Sequence, residues 1–218
     1  MAKMNKQALM TGLGDGYFDF MKTEETETAG PVYEGQTKHV PSLESAETEV
    51  TYEATPVFLS NKKHSELGRM TGAKVTLSAA YLPEGFAEEA TGAVKIGPGA
   101  YVYTASPQTK FFRFAFPMSD ENGKEVLVNF PKCTLEPVGL NPSTEGESKD
   151  ASISTFNIVA NQLFLRGETV VDGVYSKVDL RVSGANYDRD ALLDEGWYDE
   201  ATLAKHLKSD NGIADPQV

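Results

Sequence analysis

The segment from Lys110 to Pro137 restricts the fold of this chain more than any other stretch. Large apolar side chains recur at every second position in both of its halves, which is the alternation of a pleated strand with a buried face. Asn122-Gly123 lies between the halves and favours a tight turn, because both residues tolerate positive φ. The side chains placed on the apolar face are Phe112, Phe114, Phe116, Val126, Val128 and Phe130. This pattern predicts a β-hairpin at the centre of the hydrophobic core.

Shorter segments repeat the alternation elsewhere, so we predict a mainly β protein, an antiparallel β-sandwich or barrel. Residues 83–91 are predicted to form one flanking α-helix, because Pro83 suits a first helical turn and Gly92 can end the helix. Residues 1–183 are expected to form the β domain. Residues 184–218 are expected to form a short helical C-terminal extension with a flexible tail.

The chain is strongly acidic, since 20 Lys and Arg residues against 32 Asp and Glu residues give a formal charge of −12. Proteins that wrap nucleic acid need clustered cations, so this charge argues against that function. Glu47, Glu49 and Glu53 share one face of a predicted strand, where like charges repel one another. Two interpretations stay open for this row: a solvated outer face, or an acidic wall that faces something charged.

Residues 55–72 are predicted to form a long loop, longer than most hairpin connections. The loop mixes apolar and cationic side chains on an acidic chain: Val57, Phe58, Leu59, Lys62, Lys63 and Arg69. An exposed segment that carries both kinds of side chain is typical of a docking element. The alternative is that the loop packs back over its own sheet.

No motif in the sequence predicts catalysis. The three histidines lie in unrelated settings without metal-site spacing, and the single cysteine, Cys133, is expected to fill a small space in the core. We therefore expect no enzymatic activity, no cofactor and no metal ion. The N-terminal segment lacks the apolar run of a signal peptide, and no stretch is long and apolar enough to predict a membrane span.

The order of these segments is similar to that of the major tail proteins of siphophages that infect Gram-positive bacteria, the phi13-type tail tube family. The segments that carry the resemblance are, in chain order, LPEGFAEEATG, FFRFAFP, NG, EVLVNFPKCTLEP, PSTEGES and STFNIVAN. Together with the first strands they extend over Ala8 to Ser183. The helical segment after Ser183 departs from the pattern of the family.

The resemblance implies a structural subunit of a phage tail. Members of the family assemble into hexameric rings that stack into a tube, through which genome DNA leaves the capsid. The implied partners are further copies of the chain and the tail tip, tape measure and tail terminator proteins, with no membrane involved. The implied location is the virion, after synthesis in the cytoplasm of the host bacterium.

Within such a tube, DNA must pass without specific binding, and an acidic lumen would repel its phosphates. The residues that we expect to face the channel are Glu47, Glu49, Glu53, Lys74 and Thr76. The loop over residues 55–72 would reach a neighbouring subunit or ring. Exposed strand edges would continue the sheet into the neighbour, in a head-to-tail interface that closes by rotation.

The competing hypothesis is a monomeric acidic β-sandwich that recognises a carbohydrate or protein partner through its loops. A third hypothesis, a hydrolase with two catalytic carboxylates, would require an enclosed carboxylate pair with shifted pKa values. Size under native conditions separates the first two hypotheses, because rings or filaments favour the tube and a stable monomer at high concentration favours the binding module.

Overall fold

Antiparallel strands form most of the structure, a computed structural model that describes residues 8–59, 62–139, 153–166 and 170–208. The strands are β1 (Met10–Leu13), β2 (Gly16–Thr23), β3 (Val32–Tyr33), β4 (Lys38–Val40), β5 (Leu43–Leu59), β6 (Lys62–Ala79), β7 (Val94–Gly97), β8 (Ala100–Val102), β9 (Phe112–Asp120), β10 (Glu125–Leu135), β11 (Ser154–Asn161), β12 (Leu163–Arg166), β13 (Val170–Gly173) and β14 (Ser176–Asp179). The helices are α1 (Phe86–Ala90), α2 (Arg189–Glu195) and α3 (Glu200–Ala204). The predicted mainly β fold class is confirmed.

Ten strands belong to one antiparallel sheet with the main order β3-β2-β9-β10-β11-β6-β5. The strands β1, β4 and β14 pair with the remaining lengths of β9, β2 and β10, while β7-β8 and β12-β13 form two separate small hairpins. The sheet folds over so that β1 approaches β5, which gives a sandwich-like shape. The sandwich stays open along β5, because among the described strands β5 pairs only with β6.

The strands β9 and β10 form the predicted central hairpin. Phe114 lies opposite Phe130 in the register, and both side chains are buried. In the turn, the Asp120 carboxylate accepts hydrogen bonds from the backbone N–H groups of Asn122 (2.8 Å) and Lys124 (3.0 Å). Turn chemistry and the apolar pattern therefore specify the same register.

The helix α1 covers one side of the core. Phe86 and Ala90 are fully buried, as their spacing of four residues predicts, and the Phe86 ring centroid lies 5.0 Å from that of Phe18. The helix is shorter than the predicted span of residues 83–91. It begins after Gly85, whose φ of 73° is incompatible with a right-handed helix.

The helices α2 and α3 cover the opposite face of the central hairpin. A second cluster of buried side chains joins them to the sheet: Ala115, Leu127, Val178, Leu192, Leu193 and Trp197. The side chain of Asp188 caps α2, and that of Asp199 caps α3 as part of a capping box. Both faces of the hairpin are consequently buried. Residues 209–218, predicted as a flexible tail, lie outside the described residues.

The prediction of a long loop over residues 55–72 is wrong. The strands β5 and β6 continue through this segment and form one hairpin with strands of 17 and 18 residues. Pro56 and Gly68 obscure the pattern in the sequence, because both residue types are depleted in strands. Pro56 is tolerated because β5 is an edge strand, where a missing N–H group can face outward. We call residues 52–59 and 62–70 the arm.

Candidate assembly surface

Four neighbouring strands, β10, β11, β6 and β5, present a polar surface on the side away from the core. The register places Glu47 opposite Thr76 and Glu49 opposite Lys74, so the expected neighbours are brought together. The same rows continue onto β11. We call this surface the carboxylate face, and its members are Glu47, Glu49, Glu53, Lys74, Thr76, Glu136 and Asn157. Its position towards a channel stays a prediction.

The carboxylate face has an excess of uncompensated negative charge. The ammonium of Lys74 lies 3.5 Å from Glu136 and so contacts that carboxylate rather than the glutamate row. The side chains of Glu47, Glu49 and Glu53 are exposed and have no ion-pair partner within the described residues. Because carboxylates on one face of a strand repel one another, this surface must contact water or cations.

The arm extends beyond the rest of the sheet. The strand β11 accompanies β6 only as far as Gly72, and beyond that point the two strands of the arm pair with each other alone. A hydrogen bond from Arg69 Nη2 to Gln162 Oε1 at 2.7 Å ties the arm to the body. At about 3.3 Å per residue, the tip at Leu59 lies about 30 Å beyond Val50 along the strand.

The arm exposes apolar side chains as well as charge. Tyr52 is 65% exposed and Leu67 is 67% exposed, although both residues lie in paired strands. Val57 is half-buried near the tip. The other side chains predicted to dock lie outside the described part of the structure, namely those of Phe58, Leu59, Lys62 and Lys63. The side chains of Tyr52 and Leu67 leave apolar surface on the arm that is free to contact a partner.

An apolar groove of about 650 Å³ lies beside the base of β5. It exists because β5 and β1 approach without pairing, so part of the core side of the sheet is left uncovered. The apolar side chains that line it are Met10, Leu13, Ala46, Val50, Phe116, Met118, Val128 and Phe130, and Glu44 and Lys177 also lie along it. No sequence pattern indicates this groove, since it depends on how the sheet folds over.

Arg113, which is not among the predicted site residues, is a fully buried cation. Its guanidinium donates to the carbonyl oxygens of Leu193 (2.8 Å) and Asp194, and to Thr37 Oγ1 (2.7 Å). Leu193 and Asp194 belong to the last turn of α2, where carbonyl groups lack helical partners. Arg113 therefore ties β9 to the C-terminal helices.

The charge of Arg113 is balanced by Asp19, its cross-strand neighbour on β2. Burial raises the pKa of the Asp19 carboxyl, while the positive charge of Arg113 acts in the opposite direction. Burial likewise lowers the pKa of Arg113, and Asp19 is the main opposing charge. The Asp19 carboxylate also accepts from the backbone N–H groups of Gly35 (3.0 Å) and Gln36 (3.4 Å). The sequence does contain a signal for this pair, because Asp19 and Arg113 each lie between two phenylalanines in a predicted strand and carry opposite charges.

Other candidate chemistry is sparse. Among the described residues there is no group of three or more His, Cys, Asp or Glu side chains arranged to hold a metal ion. Cys133 is fully buried, as predicted, and burial raises the pKa of its thiol. No helix in the described ranges is long and apolar enough to cross a membrane.

Comparison with known proteins gives structural similarities alone. No family model and no curated protein matches the chain. Its structure is similar to the cap that terminates the tube of the anti-feeding prophage, with a TM-score of 0.43, 12% identity, and coverage of 82% of this chain and 99% of that one. It is also similar to the sheath/tube terminator, in the extended state, of an extracellular contractile injection system, PVC (TM-score 0.39, 9% identity, 75% and 92% coverage). Neither similarity shows a family for this chain, so membership of the siphophage major tail protein family stays a prediction.

Proposed function

We propose that the protein is a structural subunit of a phage tail, and that it assembles with copies of itself into hexameric rings around a channel for DNA. The observation that carries this proposal is the long β5-β6 hairpin. Its outer strand has an edge that no described strand pairs with, and its outer half leaves the body as an exposed ribbon. A free edge is a template for another strand, and a two-stranded ribbon that projects from the sheet adds little stability to a monomer.

The carboxylate face supplies the proposed channel wall. Glu47, Glu49 and Glu53 lie on the strand whose edge would meet the neighbouring subunit, so each copy would add one acidic row to a closed ring. DNA would then be repelled from the wall and could pass without specific binding. Lys74 and Thr76 would lie beside the row and Lys74 would soften the negative potential locally.

The arm is the proposed contact between subunits or rings, in the role first assigned to a loop. The same design would serve a subunit repeated along a tube or a terminator at its end, the position named for the two similar structures. Tail tip, tape measure and terminator proteins are the further proposed partners, and the virion is the proposed location.

The experiment that tests the proposal is electron microscopy of the concentrated protein beside an arm-shortened variant. Ala54 and Gly68 lie opposite each other in the register, so Asn-Gly can join them in place of residues 55–67. We expect stacked rings from the natural chain, and a folded, unassembled monomer from the variant. Replacing Pro98-Gly99, the turn of β7-β8, by Asn-Gly is the matched control and should leave assembly intact.

The outcomes separate the candidate functions. Single rings without further stacking would place the chain at the end of a tube. A natural chain that stays monomeric at high concentration and in the presence of tail tip components would favour the binding module instead. If the arm-shortened variant forms normal tubes, the arm is not part of the contact between subunits.

A further inference from the structure

We propose that the apolar groove beside the base of β5 is the receptor for the arm of a second copy of the chain. This inference rests on the proposed function and deepens it, because it names the surface on which the arm docks. The groove leaves the apolar side chains of Met10, Val50 and Met118 only partly covered, next to the edge of β5 that no described strand pairs with. A ribbon laid in it would bury those side chains and pair with that edge.

The arm cannot fill the groove of its own chain. The groove is lined by β5 residues from Glu44 to Val50, and the arm leads away from them as a continuously paired ribbon. Its tip therefore lies about 30 Å or more from the groove of the same molecule. Returning to it would require a turn inside the ribbon, whereas the described register continues to Leu59 and Lys62. The occupant has to come from another molecule.

Charge favours a second copy as that molecule. Residues 52–70 contain three Lys and Arg residues and two Glu residues, so this segment carries +1 while the remainder of the chain carries −13. An arm with a cationic tip is attracted to an acidic body, and two acidic bodies repel each other except where the arm intervenes. The apolar residues near the tip, Val57, Phe58 and Leu59, match the apolar lining of the groove in chemical type.

Arm and groove are different surfaces of one chain, so the contact is heterologous. Each subunit would donate one arm and receive one, and such contacts close into rings or continue as stacked layers. The arm-to-groove contact thus supplies the head-to-tail geometry that a ring requires.

Disulfide trapping between two variants tests this contact. Ser65→Cys places a thiol on the exposed arm, and Thr48→Cys places one in the groove. Because each variant carries one of the two positions, a peptide that links residues 48 and 65 in a mixed assembly can only join two molecules. The native thiol, Cys133, is fully buried and should not take part. The matched control is Glu47→Cys, on the adjacent residue but on the opposite face of β5.

The mixed assembly is oxidised mildly, and its disulfide-linked peptides are quantified by mass spectrometry. We expect at least a tenfold higher yield of the 48–65 link than of the 47–65 link. Assemblies that form normally and give equal yields, or no 48–65 link, would overturn the groove as receptor while leaving the proposed function standing. Failure of the natural chain to assemble would overturn both. Should a cysteine variant fail to assemble, Lys177→Cys for the groove and Leu67→Cys for the arm provide a second pair with the same expected outcomes.

Discussion

At the scale of single residues, the most consequential position is the buried Arg113. Its guanidinium meets four needs at once, because it neutralises Asp19, supplies donors to two carbonyl oxygens of α2 and donates to Thr37. A buried charge is costly by itself, and here Asp19 and the acceptors of the two Nη groups offset that cost, although Nε has no hydrogen-bond partner among the described residues. The charge pair therefore determines where the C-terminal helices pack against the sheet. The apolar cluster around Trp197 contributes buried surface between them.

We expect Arg113→Met to lower the free energy of unfolding by about 3 kcal/mol, because removing one partner leaves the Asp19 carboxylate buried without its counter-charge. The loss is measured by urea unfolding. Arg69→Met is the matched control, since Arg69 is exposed and bonds only to Gln162 among the described groups, and it should change stability by less than about 0.5 kcal/mol. Equal effects of the two substitutions would contradict the anchoring role of Arg113.

A second residue-scale prediction concerns pH. The Arg181 guanidinium lowers the pKa of Asp179 to about 2, through hydrogen bonds of 2.7 Å and 2.8 Å to its carboxylate oxygens. In the unfolded chain an aspartate titrates near 3.9. A lowered folded pKa means that the stabilisation is present above about pH 4 and is lost as pH falls towards 2.

The Asp179–Arg181 pair lies near the surface, where water screens the attraction, so its contribution to stability should be small. We expect Asp179→Asn and Arg181→Met each to lower the unfolding free energy slightly at pH 7. Both variants should converge with the natural chain at pH 2, and the double variant should lose little more than either single one. Chemical unfolding at several pH values measures this, and a difference that is constant from pH 7 to pH 2 would contradict it.

At the scale of structural elements, sequence reasoning succeeded where one periodicity dominated. The central hairpin was predictable because aromatic alternation and the Asn122-Gly123 turn agree. The arm was not predictable, because Pro56, Gly68 and a run of polar residues each favour a loop. Pairing between β5 and β6 keeps this segment extended, and the local pattern does not show that pairing. The groove could not be predicted from the sequence either, because it depends on which strands approach each other without pairing.

The C-terminal helices provide a prediction at this scale. A chain that ends at Ser183 uncovers Leu127 and Val178 and removes the carbonyl acceptors of Arg113, so we expect it to be insoluble or unfolded. Circular dichroism and the soluble yield on expression measure the outcome. A chain that ends at Lys208 is the control, because it keeps every described contact and should fold as the natural chain does. A folded, soluble chain ending at Ser183 would show that the helices are dispensable.

At the scale of the whole molecule, the charge distribution decides where two copies of the chain attract or repel each other. The net charge of −12 keeps bodies apart in solution, while the +1 of residues 52–70 gives each body a single attractive extension. Assembly by such an extension should depend on ionic strength. A free β-edge without that charge pattern would instead invite unspecific aggregation.

The proposed channel leads to the last prediction. Assemblies of the natural chain should not retain duplex DNA, because the described cations beside the glutamate row, Lys74 opposite Glu49 and Arg69 opposite Glu53, are fewer than the carboxylates of the face. Replacing Glu47, Glu49 and Glu53 together by lysine should make the assemblies retain DNA, and retention should fall steeply as salt is added, because binding by counterion release is salt-dependent. The control variant makes the same change in charge at exposed acids on other surfaces, namely Glu34, Glu121 and Asp172. Co-sedimentation of assemblies with short duplex DNA measures retention. If the two variants retain DNA to the same extent, net charge alone decides the result and the carboxylate face does not line the channel.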